Sequence, residues 1–129
     1  MRRLLFIGLV VMLAAVFGMS GAALAADKKA GGKTTTMEGY VIDSKCAEAN
    51  KDNLGEFVKT HEKDCALAPA CKASGYNLYS DGKLYKFDKA SSAKVGKFLA
   101  KDDSKLHVKA DIENEKGDMV KLVKITNAE

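Results

Sequence analysis

The spacing of hydrophobic and polar positions changes period several times along this chain. Residues 35–43 (TTMEGYVID) place Met37, Gly39 and Val41 on one face and Tyr40 and Ile42 on the other. The run is rich in strand-forming residues and predicts a first strand. A glycine inside such a run marks a bulge or sharp bend, expected here at Gly39. Residues 51–65 switch to a helical period. Leu54, Phe57, Val58, His61 and Cys65 fall on one stripe, with Lys59, Glu62 and Lys63 opposite. Asn53 followed by Glu56 resembles a capping box, and the helix should stop before Pro69.

Residues 76–88 (YNLYSDGKLYKFD) predict a hairpin. Asp81-Gly82 suits a two-residue type I′ turn, whose central positions both need φ > 0. That turn pairs Ser80 with Lys83, Tyr79 with Leu84, Leu78 with Tyr85 and Tyr76 with Phe87. Tyr76, Leu78, Tyr85 and Phe87 then share a core-facing side. Residues 90–101 form a short amphipathic helix through Val95, Phe98 and Leu99, with Ser91 or Ser92 as its cap. Residues 105–113 alternate strictly, with Leu106, Val108, Ala110 and Ile112 inward. A turn at 114–118 contains Gly117, and residues 119–126 return as a last strand. Its alternation slips between Leu122 and Val123, which predicts a bulge.

The order strand, helical insert, strand, strand, helix, strand, strand predicts a mainly β fold with two short helices. Five strands with a helix between the third and fourth is the order of an OB-like Greek-key barrel. The Cys- and His-bearing helical insert, residues 46–73, lies between strands one and two. An open antiparallel α+β sheet is the alternative arrangement.

The N-terminus changes what counts as fold. Arg2 and Arg3 precede an apolar run from Leu4 to Phe17, and Ala23-Leu24-Ala25 offers a cleavage site. Residues 1–25 therefore read as a cleaved signal peptide, and the chain as periplasmic or secreted, touching the membrane only during export. Residues 26–34 are a flexible leader and residues 35–127 a single domain. Of 129 residues, roughly 100 remain after cleavage, enough to bury a core unaided. Both arginines leave with the signal, so the mature charge is close to balanced. Lys and Asp/Glu are interleaved rather than gathered into a basic stripe, which argues against nucleic acid as a partner.

Chemistry concentrates in the insert. Cys46, His61, Cys65 and Cys71 are the only four soft or borderline ligands there. In an exported chain the first expectation is a disulfide, Cys46 with Cys65 or Cys71. Chain entropy gives such a bridge about 3–3.5 kcal/mol, against about 2 kcal/mol for Cys65 with Cys71. The spare thiol could pair between two chains to give a dimer. The alternative is a metal site: His61 and Cys65 at i, i+4 share one helix face, and all four residues make a three-cysteine, one-histidine set suited to zinc or copper(I). A further alternative is thiol-disulfide redox chemistry. Against it, Cys65 is expected near a helix C-terminus, where the dipole disfavours a thiolate. Asp43 is expected to hydrogen-bond local backbone amides. No orienting group or oxyanion hole can be named for Cys-His nucleophilic catalysis, and no catalytic or nucleotide-binding motif is present. His107 falls on the polar face of its strand. The outward side of the hairpin, Asn77, Tyr79, Leu84 and Lys86, is the candidate ligand face, because OB-type barrels bind on strands two and three.

Gly39-Tyr-Val-Ile-Asp43-Ser-Lys-Cys46, followed by His61, Cys65, Cys71, Gly75 and the hairpin Tyr76–Lys86, resembles a family of small exported bacterial proteins of uncharacterised function. The likeness spans roughly residues 36–126, with Ala47 where a Gly often follows the first Cys. It implies export and an OB-like β-barrel but no activity. The expectation is a non-enzymatic, disulfide-stabilised binding module of the cell envelope without a cofactor, its partner an unidentified protein or small ligand. Zinc or copper binding is the alternative.

Overall fold

The computed structural model describes residues 32–129. The expected signal peptide, residues 1–25, and residues 26–31 of the expected leader lie outside the described residues. The elements are β1 (Thr34–Asp43), α1 (Ser44–Ala49), a 3₁₀ turn (Lys51–Asn53), α2 (Leu54–Thr60), α3 (Lys63–Leu67), α4 (Pro69–Ser74), β2 (Tyr76–Ser80), β3 (Lys83–Phe87), α5 (Lys89–Leu99), β4 (His107–Asn114) and β5 (Met119–Asn127). This is a mixed α/β chain in which a five-stranded sheet is the largest feature. Five α-helices are described where two were expected. No helix among the described residues is long and apolar enough to cross a membrane.

The strands hydrogen-bond in the order β1-β2-β3-β5-β4, and β4 returns to β1 to close the ring. β1 serves two neighbours: Thr34 to Tyr40 pair with β4, and Tyr40 to Asp43 pair with β2. The change of partner occurs beside Gly39, where a Cβ would run into the Tyr79 carbonyl. That close backbone approach is what the glycine permits. The hairpin register matches expectation at Ser80–Lys83, Tyr79–Leu84 and Leu78–Tyr85, and the ladder continues to Asn77–Lys86. Asp81 and Gly82 take φ of 49° and 77°, as a primed turn requires. In β5, Lys124 faces Asp111 and Leu122 faces Ile112, so Val123 is skipped. Val123 is the expected bulge, and it is exposed. A short parallel pairing of Lys86 and Phe87 with Met119 and Val120 joins β3 to β5.

Two apolar clusters lie on opposite sides of β1. The larger fills the ring with Val41, Leu78, Phe87, Val95, Leu99, Val108, Ala110, Ile112, Val120 and Leu122, and reaches Ala66 in the insert. The smaller joins Ile42 on the outer face to Ala47 and Val58, with Tyr40, Leu54, Phe57, Tyr79 and Leu84 packed around them. Neighbouring Val41 and Ile42 are both fully buried, one in each cluster.

Three local expectations are corrected. The single helix over 51–65 is instead a 3₁₀ turn and two helices, broken at His61 and Glu62, whose backbones are extended. Val58 packs into the outer cluster and Ala66 into the ring core. A straight helix would carry both along one line, so the chain turns between them. Asn53 stands before α2 but makes no side-chain capping bond. α5 is capped by Asp88, whose Oδ1 accepts from the Ser91 N–H at 2.6 Å. Ser91 and Ser92 instead accept through Oγ from the N–H of Leu122 and of Tyr76.

Candidate functional site

The antiparallel pairing of β1 and β2 sets Asp43 opposite Tyr76. The insert therefore leaves and returns at one place. The Ser44 N–H donates to the Gly75 carbonyl at 2.9 Å, and the Lys45 N–H to Ser74 Oγ at 3.1 Å. α1 starts here and α4 ends here. Cys46, three residues past Asp43, is thereby brought to Cys71, five residues before Tyr76. α3 supplies Cys65 from the segment just before α4.

The three sulfurs lie within 4.8 Å of one another. Cys46 Sγ and Cys65 Sγ are 3.9 Å apart. All three cysteines are free thiols, so the expected disulfide is not formed. A bond would need about 2.05 Å. Cys71 is buried, Cys46 half-buried and Cys65 exposed.

A second triad shares Cys46. Ligand atoms of Asp43, Cys46 and His61 also lie within 4.8 Å of one another. Asp43 is the N-cap of α1: its Oδ1 accepts from the Cys46 N–H at 2.9 Å, as expected of a strand-end aspartate. Its Oδ2 lies 3.6 Å from His61 Nε2, too long for a hydrogen bond. Both side chains are buried. Asp43 Oδ2 and both ring nitrogens of His61 have no hydrogen-bond partner. Buried polar atoms are nearly always satisfied. Three such orphans beside three thiols mark a place where a further group belongs.

The electrostatics agree. Burial pushes the Cys46 thiol well above its ordinary range, and the neighbouring Asp43 carboxylate adds to that. The Cys71 thiol is raised for the same two reasons. Burial lowers the pKa of His61, against the opposing pull of Asp43, which favours neutral imidazole. Without a cation Cys46 and Cys71 are held as thiols. A cation would favour ionisation of the sulfurs and offset the buried carboxylate.

The four residues singled out in the sequence are thus all gathered, but not as expected. His61 and Cys65 do not share a helix face: His61 ends α2, and Cys65 lies in the first turn of α3. Cys65 does sit near a helix C-terminus, as expected: it lies two residues before the end of the five-residue α3, and its carbonyl accepts the Ala68 N–H that closes the helix. Asp43 joins the site through its second oxygen, and supplies beside His61 an acidic neighbour that the sequence did not identify. The i, i+4 spacing on one helix is not what brings these residues near one another. The useful signal was the strand pairing that closes the insert.

The hairpin face is less open than expected. Asn77 is buried, its Nδ2 donating to Ser44 Oγ at 3.0 Å. Tyr79 and Leu84 pack under the insert in the outer cluster, and the Tyr79 hydroxyl sits against Gly55. Asn77, Leu84 and Lys86 still line a cleft of about 310 Å³ beside α1. His107 is half-buried, stacked on Tyr40 at 4.6 Å and 3.2 Å from Glu38. A surface cleft of about 630 Å³ between α4 and α5 is lined by lysines, small residues, Tyr76 and Phe87. It contains no cysteine, histidine or carboxylate, so size does not locate the chemistry here.

No protein-family model matches the chain, and comparison with curated proteins and with solved structures gives no match either.

Proposed function

We propose that this chain is an exported protein that binds a soft or borderline metal ion, copper(I) or zinc, through Cys46, Cys65 and Cys71. The observation that carries the reading is the convergence of three sulfurs from three separate helices within 4.8 Å. Sulfurs each about 2.3 Å from one zinc ion lie about 3.8 Å apart, close to the 3.9 Å between Cys46 and Cys65. Thiolates select copper(I) and zinc over hard cations. For zinc, the neutral imidazole of His61, which stands close to Cys46 in a second triad, is the nearest candidate for a fourth donor. Asp43 then serves as the carboxylate that orients a ligating histidine. The signal-like N-terminus supports a periplasmic or secreted site, and the strand order β1-β2-β3-β5-β4 supports an OB-like Greek-key barrel as its scaffold.

The test is a competition titration of the reduced protein, purified after export, against a chromophoric chelator, with zinc and copper(I) in turn. One ion per chain is expected, released on denaturation and lost in a Cys46, Cys65, Cys71→Ser triple variant. Binding no stronger than that of the triple variant would overturn the reading.

A further inference from the structure

Cross-link and metal ligation compete for the same sulfurs. Cys46 and Cys65, 3.9 Å apart, need to close by about 1.9 Å to bond. They sit on helices of six and five residues, outside the strand ladders. α3 is flanked by extended backbone at Glu62 (φ −93°, ψ 145°) and by Ala68 (φ −57°, ψ 142°). Joints at both ends let Cys65 approach Cys46 without disturbing the ring. Cys71 is buried and Cys65 exposed, so the sulfur that an outside reagent meets is Cys65.

We propose that Cys46 and Cys65 form a reversible disulfide that empties the metal site, with Cys65 as the sulfur that reacts first. The emptying rests on the metal reading above; the linkage does not. The co-reactant is a disulfide, on a protein or a small molecule. The Cys65 thiolate attacks one sulfur of that disulfide, forming a mixed disulfide and expelling the other sulfur as a thiolate. Cys46 Sγ, giving up its proton to the thiolate already expelled, then attacks Cys65 Sγ and expels the second thiolate of the reagent. The chain has lost two electrons and the reagent has gained them. The two thiol protons end on the reagent's two thiolates. Cys71 is left as the one free sulfur of the site, and a single thiolate with His61 holds the ion far less tightly. A dithiol reductant reverses every step.

The experiment oxidises the exported full-length protein with excess oxidised glutathione, alkylates the remaining thiols under denaturing conditions and maps the peptides by mass. The expected product links Cys46 to Cys65 and leaves Cys71 alkylated. Zinc and copper(I) affinity should fall by more than about a hundredfold, beyond the effect of losing an outer-shell partner alone, and return on reduction. Cys71→Ser should still form the same link, which separates the linkage from the third ligand. A link from Cys71 to either other cysteine, no link at all, or a linked form that keeps its metal affinity overturns the switch. A reduced protein that binds no metal overturns the metal reading and the emptying together. A reduced protein that binds metal but forms no Cys46–Cys65 link overturns the switch alone.

Discussion

The ring of strands and the insert between β1 and β2 are held by different means. The ring buries whole aliphatic side chains, with Val41, Leu78, Val108, Ala110 and Val120 fully inaccessible, and its backbone groups are satisfied along continuous ladders. The insert buries only Ala47, Val58, Ala66, Cys71 and the His61 side chain. Its helices run from five to seven residues, far below the length at which a helix persists alone. What holds them is the small apolar cluster on the outer face of β1 and a few hydrogen-bonded ties to the ring. The difference separates a scaffold that needs no ligand from a segment whose order a ligand can strengthen.

The largest effect should come from breaking the ring. Leu78→Ala removes a fully buried side chain and should cost about 2–5 kcal/mol in urea unfolding, taking ring and insert down together. If the insert kept its metal affinity after the ring had unfolded, the scaffold role assigned to the ring would fail.

Next in size is the pH dependence of metal affinity. The Cys46 and Cys71 thiols are both raised, so each must lose a proton to bind the ion. Affinity should therefore fall as pH falls, by about tenfold per unit for each proton released, or about a hundredfold per unit for these two. An affinity flat between pH 6 and 8 would contradict ligation by those sulfurs.

Smaller again is the strap between the two regions. Tyr76 Oη donates to the Ala66 carbonyl at 2.8 Å, and burial pushes its hydroxyl pKa up to about 12. Tyr76→Phe leaves that buried carbonyl without its donor, a cost of about 1–3 kcal/mol. Hydrogen exchange should speed up in α3 and α4 while the amides of β4 and β5 stay protected. Equal acceleration in both regions would erase the distinction drawn between them.

The smallest effect is confined to the α5 cap. Burial pushes the Asp88 carboxyl up, but the hydrogen bonds from Ser91 outweigh it and hold the pKa below its ordinary 3.8. With the folded pKa depressed, the cap's stabilisation is complete above the unfolded value. It is lost as pH falls through the folded value. Asp88→Ala should cost about 1 kcal/mol at neutral pH. As pH falls past the depressed folded value its stability should converge on that of the parent, and a gap undiminished there would assign the loss to packing.

The same division governs what could be read from the sequence. Period-two alternation, the Asp81-Gly82 turn and the slip at Val123 are local signals, and each reappears in the ring where expected. The insert misled because its apolar stripe from Leu54 to Cys65 is continuous in sequence, yet serves two separate cores through Val58 and Ala66. Asp43 was legible as a capping residue through Oδ1. Its second oxygen meets His61 only because the chain turns at His61 and Glu62, which no propensity announces. The meeting of Cys46 and Cys71 was accessible in principle: if the strand ending at Asp43 pairs with the one starting at Tyr76, the ends of the insert must touch.

The most direct test of the central claim is isothermal or chelator-competition titration of the reduced, exported protein with copper(I) and zinc, alongside Cys71→Ser. The account predicts one ion per chain and a loss of more than about a hundredfold in the variant, since removing a ligand should exceed the effect of removing an outer-shell partner. Equal affinity in parent and variant, or no saturable binding in either, would contradict it.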